Sequence, residues 1–230
     1  MREIIFDTET TGLDPKSGHR LVEIGCIELI DRRETGQNFH AYFHPERDMP
    51  AEAEAVHGLS MQFLSGKPRF AERVDDLIAF LGDAPLIAHN AAFDFGFVNA
   101  ELARIKQPPL GPDRMVCTVQ MARKLHPGAK HSLDALCVRY GIDRSHRVKH
   151  GALLDAELLA HLYIEMTGGR QIGLGLASAA GASAGAAALR DVRPVRPFRE
   201  PRPHQATAAE QARHAEFVAG LTQPLWHDTV

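Results

Sequence analysis

No run of apolar residues in this chain approaches the roughly 18 that a membrane span needs, and no signal peptide precedes the first apolar segment. Cysteine is scarce: Cys26, Cys117 and Cys137 are odd in number and lack any C-x-x-C spacing. That disfavours a disulfide framework or a zinc site and predicts free thiols in a reducing, cytoplasmic setting. An excess of basic residues is missing too. Residues 1–169 hold 19 Lys and Arg against 24 Asp and Glu, whereas residues 170–230 hold 7 against 5. An acidic main region is not that of a tight, sequence-independent DNA binder, so a polyanionic substrate would need metal ions or a partner protein to hold it. Hydrophobic residues, at 44%, suffice for a sizeable core.

The stretch that organises the rest is Ile4-Ile5-Phe6-Asp7-Thr8-Glu9-Thr10-Thr11-Gly12, an apolar run ending in two carboxylates. As a β-strand it places Asp7 and Glu9 on one face, because they are two residues apart. Two acids so placed repel unless a cation lies between them, and hard ions such as Mg²⁺ or Mn²⁺ suit oxygen ligands. An isolated D-x-E is also what a solvent-facing strand end looks like, so the metal reading depends on further groups.

Leu21 to Ile30 reads as a second strand, Asp31 to Gln37 as a turn, and Asn38 to His44 as a third, half-buried strand. Residues 55–60 form a short helix or loop. From Pro68, taken as an N1 proline, Phe70, Val74, Leu77, Ile78 and Leu81 follow helical spacing up to Gly82. Pro85 to His89 is a short buried strand, and Asn90 caps a helix running to about Ile105. Met115 to Thr118 is a further strand, followed by a helix with Met121 and Leu125 inward. Ser132 caps a helix that ends before Gly141, and a last helix spans about Ala152 to Met166. The order predicts an α/β fold with a mixed five-stranded sheet flanked by helices, its first three strands antiparallel.

Beyond Gly169 the composition changes. Residues 177–188 are Ala-, Gly- and Ser-rich, and Arg190 to His204 alternates Arg and Pro, which predicts a largely disordered, extended tail. Thr207 and Glu210 match a capping box before a short helix, and Trp226 follows. The domain boundary falls near residue 170.

Three further pieces bear on Asp7 and Glu9. His89 to Asp94 puts an acid in the first turn of a helix after a strand. His150-Gly151-Ala152-Leu153-Leu154-Asp155 puts a histidine in a loop and an acid in the following helix's first turn. Singly, each acid merely complements a helix dipole. In order and spacing, though, Asp7-Thr8-Glu9, His89 to Asp94 and the H-x-x-x-x-D of His150 to Asp155 resemble the three motifs of the DEDDh exonuclease family. Its fold is ribonuclease H-like. The resemblance covers residues 1–169, including Val56-His57-Gly58 and Lys130 to Tyr140, and is strongest to the proofreading branch that serves bacterial DNA polymerase III.

That resemblance implies a 3′→5′ exonuclease acting on single-stranded 3′ DNA ends. Asp7, Glu9, Asp94 and Asp155 would hold two divalent ions (Mg²⁺ or Mn²⁺), with His150 as general base. Asp7, Glu9, Asp155, Glu52 and His57 would meet the substrate, Glu52 at the 3′-hydroxyl and His57 at the sugar or base. Two ions roughly 3.5–4 Å apart serve the attacking and leaving oxygens of an in-line displacement. A histidine suits the base role because its ordinary pKa is about 6.5. Two partner segments are also implied for the tail, 170–230. Gln171 to Leu176 is similar to peptides that dock on the sliding clamp, and 207–230 resembles a segment that binds the polymerase's catalytic (alpha) subunit. A stand-alone DEDDh ribonuclease or DNA-repair exonuclease is the alternative reading, and a non-catalytic nucleic-acid-binding or scaffold module a third. The third leaves five filled catalytic positions without a purpose.

Overall fold

Arg2–Thr10 forms the central strand, β1, of the computed structural model, which describes residues 1–145, 147, 149–169 and 205–222. Its alternation divides the protein. Ile4 and Phe6 face one core and Ile5 the other, and none is more than 1% exposed. Leu21–Ile30 (β2) pairs antiparallel with β1, setting Asp7 opposite Gly25 and Glu9 opposite Glu23. Arg33–Tyr42 (β3) pairs antiparallel with β2. Helices Ala51–His57 (α1), Met61–Leu64 (α2) and Phe70–Leu81 (α3) follow. Leu86–Ala88 (β4) returns parallel to β1 and leads into Ala91–Arg104 (α4). Met115–Cys117 (β5) lies parallel to β4, and Thr118–Leu125 (α5), Leu133–Tyr140 (α6) and Ala152–Met166 (α7) complete the domain. The sheet order is β3-β2-β1-β4-β5, as the mixed five-stranded expectation required.

Both sheet faces are covered. Ile4, Phe6, Ile24 and Leu86 pack with Phe70, Leu77, Phe95 and Val98 of α3 and α4. Ile5, Ile27, Leu29 and Ile87 pack with Ala122, Leu136, Leu159 and Leu162 of α5, α6 and α7. Helix α7 lies close on β2 because residue 25 is glycine. A Cβ there would stand 2.3 Å from the Leu153 nitrogen and 2.4 Å from its Cα, which only a shift of the helix relieves. At the other end of α7, the Tyr163 hydroxyl donates to buried Glu3 of β1 at 2.7 Å. The α4 side is fastened by Arg20, which donates to Glu101 through Nε at 2.6 Å and Nη2 at 2.9 Å.

Several local expectations are corrected. The turn is not Asp31 to Gln37 but Asp31-Arg32 alone, both at positive φ (51° and 61°), so β3 begins at Arg33. This two-residue left-handed turn matches the twist of a hairpin. Tertiary contacts hold it without glycine: the Met1 amino group pairs with Asp31 and the Arg32 guanidinium donates to the Thr167 carbonyl. Pro68 is not the first helical residue; α3 starts at Phe70, and Glu72 accepts from the Arg69 N–H at 2.7 Å. Asn90 does not cap α4 with its side chain. It adopts left-handed backbone (φ 69°), a geometry asparagine tolerates, and its carbonyl accepts from Phe93 at 2.9 Å. Leu125 is 49% exposed rather than inward, because it ends α5 one turn past the buried Ala122 contact.

Residues 208–219 form a separate helix, α8, whose Thr207–Glu210 capping box is made in both directions. The expected clamp-docking peptide, Gln171 to Leu176, lies outside the described residues, as do Trp226 and most of the expected disordered tail. Among the described residues no helix is long and apolar enough to cross a membrane.

The close approach at Gly25 has a measurable cost when filled. Gly25→Ala is expected to lower unfolding stability by about 1–3 kcal/mol, the range for overpacking. Gly96→Ala, inside α4 with nothing within 4 Å of the added carbon, should instead raise it by about 0.5–1 kcal/mol. Urea titration of each variant checks the pair; equal effects would contradict the packing argument.

Candidate active site

The strand order places the carboxyl end of β1 beside β4, where the chain crosses from one half of the sheet to the other. Such switch points are where open α/β sheets bind ligands. Asp7 and Glu9 leave β1 on the α7 side, in phase with Ile5. Asp155, in the first turn of α7, lies under them because Gly25 lets that turn come close. Thr8 points to the opposite face and donates to Asp94 Oδ1 at 2.7 Å, drawing in the first turn of α4. His150 sits in the loop before α7, its N–H donating to the Val56 carbonyl at 3.3 Å and its ring 48% exposed. Ligand atoms of Glu9, His150 and Asp155 all lie within 4.8 Å of one another. All five residues named from the sequence are thus brought to one end of one strand.

Their electrostatics are those of crowded anions. Burial first, then Asp94, Glu9 and Asp155, push the Asp7 carboxyl well above the ordinary carboxylate range. Burial, followed by Asp155 and Glu23, raises Glu9 to about 8, although Arg147 opposes the shift. Burial raises Asp94 to about 7 against the hydrogen bond from Thr8. Carboxylates so placed must take up protons or share a cation. Oxygen donors in this number, with one imidazole at the rim, fit a hard divalent ion.

Beside the cluster opens a cavity of about 590 Å³, lined by Glu9, Gly12, Leu13, Glu52, His57 and Phe93 among others. Glu52 stands exposed in the first turn of α1, and His57, at the end of that helix, is 6% exposed. His57 Nδ1 accepts from the Leu59 N–H at 3.0 Å, which leaves the proton on Nε2, a buried atom that makes no well-formed hydrogen bond among the described residues, though the Thr10 backbone lies near it. Burial lowers the His57 pKa, favouring that neutral form. Of the five residues named for substrate contact, Glu9, Glu52 and His57 line this cavity, while Asp7 and Asp155 stand behind Glu9 in the carboxylate cluster.

Two residues were missed by sequence reasoning. Glu23, 3% exposed on β2, lies directly opposite Glu9 and is bonded to His40 Nε2 at 2.7 Å. A charge inside the apolar run Leu21 to Ile30 was the available signal, but its partner appears only once register is known. Arg147 grips Asp155, yet three residues before His150 it reads as one more basic loop residue.

The raised carboxylates predict a pH dependence. Between about 4.5 and 8 the folded protein keeps a proton on Glu9 that the unfolded chain has released, so stability falls as pH rises through that window. Chelator-treated protein should show a declining Tm across it, and added Mn²⁺ should raise Tm more at the alkaline end. Thermal unfolding at several pH values, with and without the ion, checks this; a metal effect that shrinks as pH rises would contradict it.

The comparisons with known proteins agree with this geometry. The family model described as exonuclease (RNase_T) matches residues 4–163. DNA polymerase III subunit epsilon of Rickettsia felis is 53% identical over 174 residues, covering 74% of this chain and 76% of its own length. The Escherichia coli protein of the same description is 46% identical over 177 residues, covering 74% and 72%. Among solved structures, exonuclease X in complex with 5′ overhanging duplex DNA superposes with a TM-score of 0.56 at 28% identity, covering 71% of this chain and 90% of that one. The nuclease domain of 3′hExo, a DEDDh family member bound to rAMP, shares the fold with a TM-score of 0.64 at 17% identity, covering 72% and 91%. With its motifs gathered at the end of β1 and these relatives matching across the same domain, the chain belongs to the exonuclease (RNase_T) family.

Proposed function

We propose that this protein is the proofreading 3′→5′ exonuclease of a replicative DNA polymerase of the polymerase III type, removing mismatched 3′-terminal nucleotides by metal-dependent phosphodiester hydrolysis. The observation that carries the reading is the convergence of Asp7, Glu9, Asp94, Asp155 and His150 at one strand end, beside a cavity sized for a chain terminus. The four carboxylates would hold two divalent ions, Mg²⁺ or Mn²⁺. When bound, these supply charge relief to the scissile phosphate and to the attacking and leaving oxygens. His150, at the solvent edge, takes the proton of the attacking water on a ring nitrogen. Glu52 accepts from the terminal 3′-hydroxyl, and the Nε2 of His57, in the cavity wall, donates to the sugar or base. Phe93 and Leu13 wall the cavity and exclude water from the bound nucleotide.

Hydrolysis of a labelled single-stranded oligonucleotide tests this chemistry. Asp7→Ala is expected to abolish turnover, and His150→Ala to lower kcat by roughly 10²–10⁴-fold, the share of proton transfer. Undiminished hydrolysis in excess chelator would end the metal reading.

Selectivity for errors follows from access to the cavity. A paired terminus must first unpair, which costs a few kcal/mol, and a mismatch has already lost much of that. Single strands should therefore be cut at similar rates whatever their last base, and matched duplex ends more slowly. A strong terminal-base preference on single strands would count against fraying as the discriminator.

The tail completes the reading. Residues 1–169 carry the exonuclease, and 170–230 carry the attachments: Gln171 to Leu176 to the sliding clamp, and 207–230 with Trp226 to the polymerase's alpha subunit. A chain cut after Gly169 retains every residue of the site. It is expected to keep near wild-type activity on free 3′ ends while losing co-elution with the polymerase subunit. Trp226→Ala alone should weaken that association by about 2 kcal/mol if the indole is a buried anchor.

A further inference from the structure

The carboxylate cluster already meets a cation of its own. Arg147 Nε donates to Asp155 Oδ1 and Nη2 to Asp155 Oδ2, each at 2.6 Å, with the two side chains only 9% and 5% exposed. A planar guanidinium engaged this way covers both oxygens of the carboxylate. The same Nη2 lies 2.7 Å from His150 Nδ1, and Nη1 donates to Asp134 Oδ1 at 2.9 Å in the first turn of α6. One side chain therefore spans a metal-ligand position, the general-base position and a carboxylate outside the site.

These contacts compete with an ion at Asp155. Arg147 takes up acceptor sites on both oxygens the ion would use, and two cations a few ångströms apart repel in a site this dry. Asp134 offers somewhere else to go. It is 47% exposed, it already accepts from Arg147 Nη1, and it also accepts from Arg144 Nη1 at 2.7 Å. A pivot about the Nη1 contact lifts Nε and Nη2 from Asp155 without freeing the side chain altogether.

We propose that Arg147 is a positioning residue that stands in for the cation at Asp155 while the enzyme is metal-free, and that metal entry shifts its guanidinium onto Asp134 and away from His150 Nδ1, which also lies 3.2 Å from Asp155 Oδ2. Site loading and arming of the base then occur as one step. The inference rests on the metal-dependent reading above. It differs from a strut role, in which Arg147 would join α6 to α7 equally well with or without an ion.

The test uses the full chain, chelator-treated and then titrated with Mn²⁺ alone, with binding read calorimetrically and Tm measured at both ends of the titration. Removing the competitor in Arg147→Gln should tighten Mn²⁺ binding by about tenfold. It should also lower the chelated Tm more than the Mn²⁺-saturated Tm. Asp134→Asn removes the alternative seat and should weaken Mn²⁺ binding by a few fold. Unchanged or weaker binding by Arg147→Gln, with equal Tm losses in both states, would establish the strut and overturn the proposal. If Arg147→Gln does not fold, Asp134→Asn decides, and Mn²⁺ affinity unchanged or tightened there overturns it too. A wild-type chain that takes up no Mn²⁺ would bring down the metal reading and this inference together. A wild-type chain that binds it while both variants match its affinity would bring down this inference alone.

Discussion

Mutual repulsion among buried carboxylates is the constraint that the rest of the structure serves. Asp7, Glu9, Asp94 and Asp155 come from three elements, and Glu23 from a fourth, into one poorly hydrated volume. Left to themselves such groups would move apart or hold protons. The fold keeps them together by spending packing elsewhere: two cores on opposite faces of the sheet fix β1 between α4 and α7, and each helix delivers one acid in its first turn. Helix N-termini favour negative charge, so the dipoles of α4 and α7 offset part of the cost at Asp94 and Asp155. Glu9 sits on a strand rather than at a helix N-terminus and faces Glu23 across the ladder; the charge of Arg147 offsets only part of this, and the Glu9 carboxyl is raised to about 8.

Close approach is the geometric side of the same constraint. Asp155 meets Asp7 and Glu9 only because α7 sits almost on the backbone of β2, and that contact exists because position 25 has no side chain. Gly25 is also the register partner of Asp7, so the residue that admits the helix lies directly beside the residue the helix must reach. The Tyr163–Glu3 hydrogen bond one α7 length away sets the helix's tilt against the same strand. Stability and site geometry are therefore not separable here; a change that loosens α7 moves Asp155 away from Asp7 and Glu9.

What was legible from sequence was whatever local pattern encodes. The alternation of Ile4 to Glu9 gave the strand and the shared face of its acids, and the helical spacing from Phe70 to Leu81 survived a misplaced start at Pro68. Errors gathered where long-range contacts decide local backbone. Asp31-Arg32 turns in two residues because Met1 and Thr167 hold it, and neither is near in sequence. Asn90 looked like a side-chain cap and instead contributes its left-handed backbone. In the site, the motif residues were found by spacing. Glu23 and Arg147 were not, since their importance lies in register and in a contact across α6 and α7. Spacing announces ligands; it does not announce the groups that govern them.

That distinction bears on how an acidic domain manages a polyanion. Nothing in the site attracts DNA at long range, since the carboxylates carry the same sign as the phosphates. Attraction must come from ions in the site or from whatever holds the strand nearby. A general nuclease would gain from standing basic surface. A proofreader would lose by it, because tight binding to any 3′ end would compete with synthesis. Weak intrinsic attraction joined to a tether makes the effective concentration of the terminus, rather than affinity for it, set the rate of trial. The net negative charge of residues 1–169, with the positive balance confined to 170–230, is consistent with the division of labour proposed for the tail. On the proposed reading such charge is no handicap, because a tether would supply the encounter and the cost of unpairing would still decide which ends are cut.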